Sequence, residues 1–188
     1  MTVAISTSSP LVSVAVFSLE GRLLYSGRRE SPRAAGAACL ALLEQLGEPI
    51  PVGARFLADA GPGGFTAVKA GVVLAKTLAF AFGGQAAAAS SFDLIDPSRT
   101  VAVPVQRGKY LVRVPGEEPC VAGQQELPAE AIGYGPAFAE SSYPDASCAS
   151  ALIPAASWMP PESLVPSYVL TPSISTPNRP FRSGVICG

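Results

Sequence analysis

The sequence has no histidine, and that absence closes several routes to catalysis. No imidazole is available for a Ser-His-Asp or Cys-His nucleophile, for an HExxH zinc site, or as a general base near neutral pH. Charge is scarce as well: charged residues make up 14% of the 188 positions, against roughly a quarter in an ordinary soluble domain. Up to residue 100 there are eight basic and seven acidic residues, and beyond it five and seven. Neither half has the Lys/Arg excess with which a protein grips many phosphates unaided. Cysteine is sparse and scattered. Cys39, Cys120, Cys148 and Cys187 form no CxxC and no metal-ligand spacing, and a chain of this length buries a core without staples, so free thiols fit better than disulfides. Long apolar runs are missing too. The longest, from Ala70 to Gly83, is interrupted by Lys76 and is too short to span a bilayer. Met1 to Ile5 lacks the basic start of a signal peptide. The expectation is a cytoplasmic protein with no membrane segment.

What is present is a well-punctuated first half. Thr2–Ser6 is a short apolar run suited to a buried strand, broken by Thr7-Ser8-Ser9-Pro10 and resumed over Leu11–Phe17; Glu20-Gly21 turns the chain into a weak alternation over Arg22–Ser26. Ser31-Pro32 offers a cap and a first helical residue for a helix through Ala37, Leu40, Leu43 and Leu46, with Gly47 as its stop. Arg55–Ala58 reads as another strand. It leads through Ala60-Gly61-Pro62-Gly63-Gly64-Phe65-Thr66 into a second helix ending near Phe82. In that helix Val68, Val72, Ala75, Ala79 and Phe82 share one face, and Val73, Leu74, Leu78 and Phe80 the other. A helix apolar nearly all round is covered on more than one side, either as a central core helix or by a second subunit. The pattern alone leaves both open. Beyond Ser98 the strands Val101–Gln106 and Tyr110–Val114 flank Arg107-Gly108-Lys109 as a hairpin. After Pro115 the chain is rich in Pro, Gly and Ser, which predicts short strands, turns and a loosely held end.

The chemistry-bearing segments each carry a plain reading beside a functional one. Gly61–Thr66 follows a strand and opens a helix, so its amides suit an anion, yet it is neither GK[ST] nor GxGxxG and serves equally as a tight corner. Ser6-Thr7-Ser8-Ser9 has hydroxyls for a phosphate or is an ordinary polar turn. Asp59, Asp93 and Asp96 lack the spacing of a catalytic pair. Arg28, Arg29 and Arg33 make a small basic cluster that reads first as a solvated edge and second as a phosphate or partner contact.

The order of these pieces resembles the TsaB-type tRNA threonylcarbamoyladenosine biosynthesis proteins, also called YeaZ, shortened relatives of the actin-like ATPases. Val3-Ala4-Ile5-Ser6-Thr7-Ser8 and Ser13-Val14-Ala15 match the family's opening, and Gly61-Pro62-Gly63-Gly64-Phe65-Thr66-Ala67-Val68-Lys69 is similar to its GPGS(F/Y)TG(L/I/V)R signature. Val105-Gln106-Arg107-Gly108-Lys109 and Pro166-Ser167-Tyr168-Val169-Leu170 resemble its later motifs. Ser6, Pro104 and Leu170 stand where the family carries Asp, Asp and Arg. The resemblance implies an α/β fold with an actin-like or ribonuclease H-like mixed sheet and flanking helices in residues 1–98, and a reduced, Pro-rich C-terminal lobe in 99–188.

It also implies a role. In the family the catalytic subunit, TsaD, binds its metal through histidines, so a histidine-free chain corresponds to the non-catalytic scaffold that pairs with TsaD. The pairing would run through the helices at 32–46 and 66–82, with Leu40, Leu43, Val68, Lys69, Val72, Ala75, Lys76 and Ala79 at the interface and self-association when TsaD is absent. The ATPase TsaE and tRNA would be met only by the assembled complex. No metal and no tightly held cofactor is implied for this chain. An adenine nucleotide belongs at the partner junction, near Ser6, Thr7, Ser8, Gly61, Gly63, Gly64 and Thr66. Two other readings stand beside this one: a nucleotide-binding enzyme with weak ATPase or phosphotransfer activity at those turns, and a homodimeric binding protein without a tRNA role. A metalloprotease, an older association of the family, has no plausible zinc ligands here.

Overall fold

Alternation of side chains with a period of two builds the first sheet. In a computed structural model of the chain, described for residues 1–106 and 108–167, strand β1 (Thr2–Ser6) sends Val3 and Ile5 to one face and Ala4 and Ser6 to the other. Strand β2 (Leu11–Phe17) splits Val12, Val14 and Val16 from Ala15 and Phe17 in the same way. With β3 (Leu23–Glu30) these form an antiparallel meander. Strand β4 (Arg55–Asp59) lies parallel to β1, and β5 (Ala86–Ala89) parallel to β4, giving the order β3-β2-β1-β4-β5. The sequence motifs at Arg107 and at Tyr168, Val169 and Leu170, the prolines from Pro172 onward, and Cys187 lie outside the described residues.

Helices α1 (Ala35–Leu43) and α2 (Phe65–Ala81) cover the valine-rich face. Helix α1 begins later than the Ser31-Pro32 signal predicts, because the Ser31 amide donates to the Pro10 carbonyl at 2.9 Å and extends the strand ladder instead of capping. It also ends before Gly47: the Tyr25 hydroxyl donates to the Leu42 carbonyl at 2.9 Å, and the chain tightens through three-residue turns at Gln45 and Leu46. Helix α2 turns its small residues inward. Gly71, Val72, Ala75 and Ala79 are buried, and a Cβ on Gly71 would collide with Thr7 Oγ1. The helix therefore lies close on β1 and β4.

Helix α3 (Ser91–Ile95), capped by the Ser90 hydroxyl, leads to the second sheet. Its strands β6 (Val101–Gln106), β7 (Lys109–Arg113), β8 (Cys120–Gly123) and β9 (Ile132–Gly133) run in the order β8-β7-β6-β9. Arg113 ties it to the first half by donating to Asp93 Oδ1 at 2.9 Å and to the Asp96 carbonyl at 2.8 Å.

The described part of the Pro-rich end is held more firmly than the sequence suggests. Residues 146–151 form a 3₁₀ segment on the second face of the first sheet, burying Ala146 and Ala149 with Ile153 beside them. Met159 then exchanges both backbone hydrogen bonds with Ala86, and Leu164 is buried with α2 in the first core. The Ser167 amide reaches the Ala60 carbonyl at 2.9 Å. Proline bars helices and ladders, but it does not bar 3₁₀ turns and extended segments that bury alternate side chains.

Candidate functional site

Parallel register brings the two polar turns together. Ile5 stands opposite Ala58, so the next residues, Ser6 and Asp59, emerge side by side at the carboxyl ends of β1 and β4 on the same face. Asp59 stands opposite Ala89 of β5, and two residues later the chain supplies Ser91. All four donors around the Asp59 carboxyl group point at it. Ser6 Oγ (2.6 Å) and Ser8 Oγ (2.5 Å) donate to Oδ2, while Ser91 Oγ (2.5 Å) and the Gly61 amide (3.0 Å) donate to Oδ1. Asp59, Ser6 and Ser91 are fully buried, and Ser8 nearly so. Burial pushes the Asp59 carboxyl above the usual carboxylate range, and the hydrogen bonds from Ser6, Ser8, Ser91 and Gly61 pull the other way without cancelling it. The neighbouring Tyr134 hydroxyl, which donates to the Ser8 carbonyl at 3.4 Å, is raised first by burial and then by the Asp59 charge.

The remaining predicted loop residues gather at the same corner. Gly64 donates its amide to the Ser8 carbonyl at 2.9 Å, and Thr7 Oγ1 donates to the Ala67 carbonyl at 2.7 Å. A Cβ on Gly63 would overlap Ser8, and Gly61, joined to Pro62 by a cis bond, has φ +98°, which a side chain disfavours. The corner is thus closed. Ser6, Thr7, Ser8 and Gly61 are inside it, and only Gly64 and Thr66 are exposed at the rim, with Gly63 half-buried.

These residues do not fit a nucleotide phosphate. The hydroxyls that would hold it already serve Asp59. A phosphate within reach of Ser8 would lie roughly 4–5 Å from that carboxylate, where repulsion at an effective dielectric of 20 is about 4 kcal/mol per charge. The adjoining cavity, about 410 Å³, is lined by Gly61, Pro62, Ala89, Ser90 and Phe92, and its one charged lining residue among the described residues is Glu118, which is acidic. Sequence reading missed Asp59 because its partners lie 53, 51 and 32 positions away and meet only through parallel pairing.

The predicted partner face needs correction. Val68, Val72, Ala75 and Ala79 are buried against the chain's own sheet, and Leu43 is half-buried against the same core. Small side chains decide this, because they let the helix approach the strands. Lys69 is exposed as expected, while Lys76 is half-buried with Nζ on the Glu162 carbonyl at 3.1 Å. The outward face of α2 instead carries Thr66, Lys69, Val73, Thr77 and Phe80, with Val73 51% and Phe80 81% exposed. On α1, Leu40 is 46% exposed.

This architecture matches solved structures. The fold is that of YeaZ. An uncharacterized protein described as similar to peptidase YeaZ from Pseudomonas aeruginosa superposes with a TM-score of 0.74 at 18% identity, over 90% of this chain and 99% of that one. YeaZ from Pseudomonas aeruginosa superposes with a TM-score of 0.67 at 19% identity, over 89% and 99%. No protein-family model and no curated protein matches the sequence. Among the described residues, no helix is long and apolar enough to cross a membrane, and no cluster of His, Cys, Asp or Glu is arranged to hold a metal ion.

Proposed function

We propose that this chain belongs with the TsaB/YeaZ proteins and acts as a non-catalytic scaffold for threonylcarbamoyl transfer to tRNA adenosine. In this reading it docks a TsaD-type catalytic subunit through the solvent side of α1 and α2. The observation that carries the proposal is the outer face of those helices, where Leu40, Val73 and Phe80 are exposed on regular helix surface; Leu19 and Val52, also exposed, lie in connecting segments. The YeaZ fold supports the same reading. So does the composition: with no histidine, the chain complements a partner that brings the metal. An adenine nucleotide at the junction would be held by the partner's groups, because the corner at Ser6–Ser8 is already filled. TsaE and tRNA engage only the assembled pair, in the cytoplasm, and without a partner the same helix face joins two copies of this chain.

The peptidase named for one structural neighbour finds no support in the residues here. Ser6, Ser8 and Ser91 on Asp59 are sealed from substrate, Ser98 on Asp96 and Ser147 on Asp145 are two-residue turn contacts, and none has an imidazole. Light scattering of the purified chain mixed with the TsaD homologue of its host tests the proposal. A mass equal to the sum of both chains is expected, and two unshifted masses over a wide concentration range would overturn it. If the pair forms, depletion of this chain should lower threonylcarbamoyladenosine in tRNA. Unchanged nucleoside levels would leave a binding protein without a tRNA role.

A further inference from the structure

The Asp59 cage has the composition of a carboxyl site: three serine hydroxyls and one backbone amide all donate to one carboxyl group, two to each oxygen. Two backbone turns, one at Ser6–Ser9 and one at Asp59–Gly61, form it, and the start of α3 closes it with Ser91. Those turns are pressed together by Gly63, Gly64 and Gly71, each of which lies close to Ser8 or Thr7. The cage is therefore rigid and would persist around whatever occupied it. Among the described residues no cationic side chain contributes to it, which suits a small monovalent occupant more than a polyphosphate.

We infer that this is a carboxyl-binding cage whose resident occupant is the chain's own Asp59 side chain, so that deleting that side chain opens a site for a small exogenous carboxyl compound such as formate or acetate. In chemical terms the protein is self-liganded. The Asp59 carboxyl group fills the place that such a loop would otherwise give to a ligand from solution, and its four hydrogen bonds tie the turns together. The inference is independent of the proposed partner, since it concerns a carboxyl group buried within this chain.

Asp59→Ala leaves three hydroxyls and an amide facing a void, and a fall in Tm of about 10 °C or more is expected in chloride. Formate or acetate at matched ionic strength should return a large share of that loss, with a saturable concentration dependence. Asp59→Asn fills the space and should melt identically in formate and chloride. Wild-type protein titrated calorimetrically with Mg-ATP or inorganic phosphate should show no binding, because its cage is full. Equal melting of Asp59→Ala in the two salts would overturn the inference. So would wild-type binding of phosphate or Mg-ATP that Asp59→Asn abolishes. Should Asp59→Ala fail to fold in chloride, recovery of folded protein in formate supports the inference. Failure in both salts counts against it, since a rigid cage should accept the replacement ion.

Discussion

Replacing Val73 and Phe80 together by lysine removes apolar surface from the outer face of α2 without touching the core. Lysine is a good helix former, and both positions already face solvent, so the fold should persist with Tm nearly unchanged. Fully covering a Val or Phe side chain is worth about 1.5–3 kcal/mol. Scaled to the 81% of Phe80 and 51% of Val73 that remain exposed, covering the pair contributes about 3 kcal/mol to an association that buries both. Removing that contribution should raise Kd on the order of 100-fold for a different partner, and by more for self-association, where both copies lose it. Sedimentation velocity across a dilution series measures it for self-association, and a pull-down titration measures it for the TsaD-type partner. Val72→Ala, one residue away but buried, is the control: it should cost about 2 kcal/mol of stability, roughly 4–8 °C in Tm, and leave association alone. The reasoning is refuted if the double variant associates as tightly as wild type.

Three further outcomes follow from the interior. Because burial raises the Asp59 pKa, its stabilising contribution is fully present below the unfolded carboxylate value of about 3.9 and is lost as pH rises through the folded value; chemical denaturation of wild type against Asp59→Asn should show the wild type losing ground from acid toward neutral pH, and a gain would mean the four donors outweigh burial. Gly71→Ala pushes a methyl into Thr7 Oγ1 and should cost about 1–3 kcal/mol, with part of the loss recovered when Thr7→Ala is added, as a double-mutant cycle in urea would report. Leu164→Ala should cost about 2–4 kcal/mol and speed amide exchange at Met159 and Ser167, the two places where that segment is pinned to the sheet; unchanged exchange there would show that Leu164 does not hold the segment.

Much of the first lobe was legible from local pattern. Strands over Thr2–Ser6 and Leu11–Phe17 and the helix after the glycine loop stand where alternation and periodicity put them, because those signals lie within a few residues of each other. Three things were not legible, each for a long-range reason. Ala86–Ala89 carries no β-branched residue, and it is a strand only because β4 offers it a parallel ladder. The inward side of α2 was ambiguous because both sides are apolar; close approach to β1 and β4 selected the side with Gly71, Ala75 and Ala79 over the side with Val73 and Phe80. Asp59 looked like an isolated carboxylate because its serines come from two distant places in the chain, the turn at Ser6–Ser8 and the start of α3 at Ser91.

The return of residues 144–167 onto the first sheet has a consequence for synthesis. On the ribosome, the strands and helices made first emerge with their floor and one wall missing, since Ala146, Ala149, Ile153, Met159 and Leu164 complete those layers. The early half of the chain must wait, with greasy surfaces uncovered, until nearly all of the described polypeptide has left the exit tunnel. A nascent chain stalled before Leu164 should accordingly be protease-sensitive throughout, and it should be a natural client for chaperones that bind near the tunnel mouth.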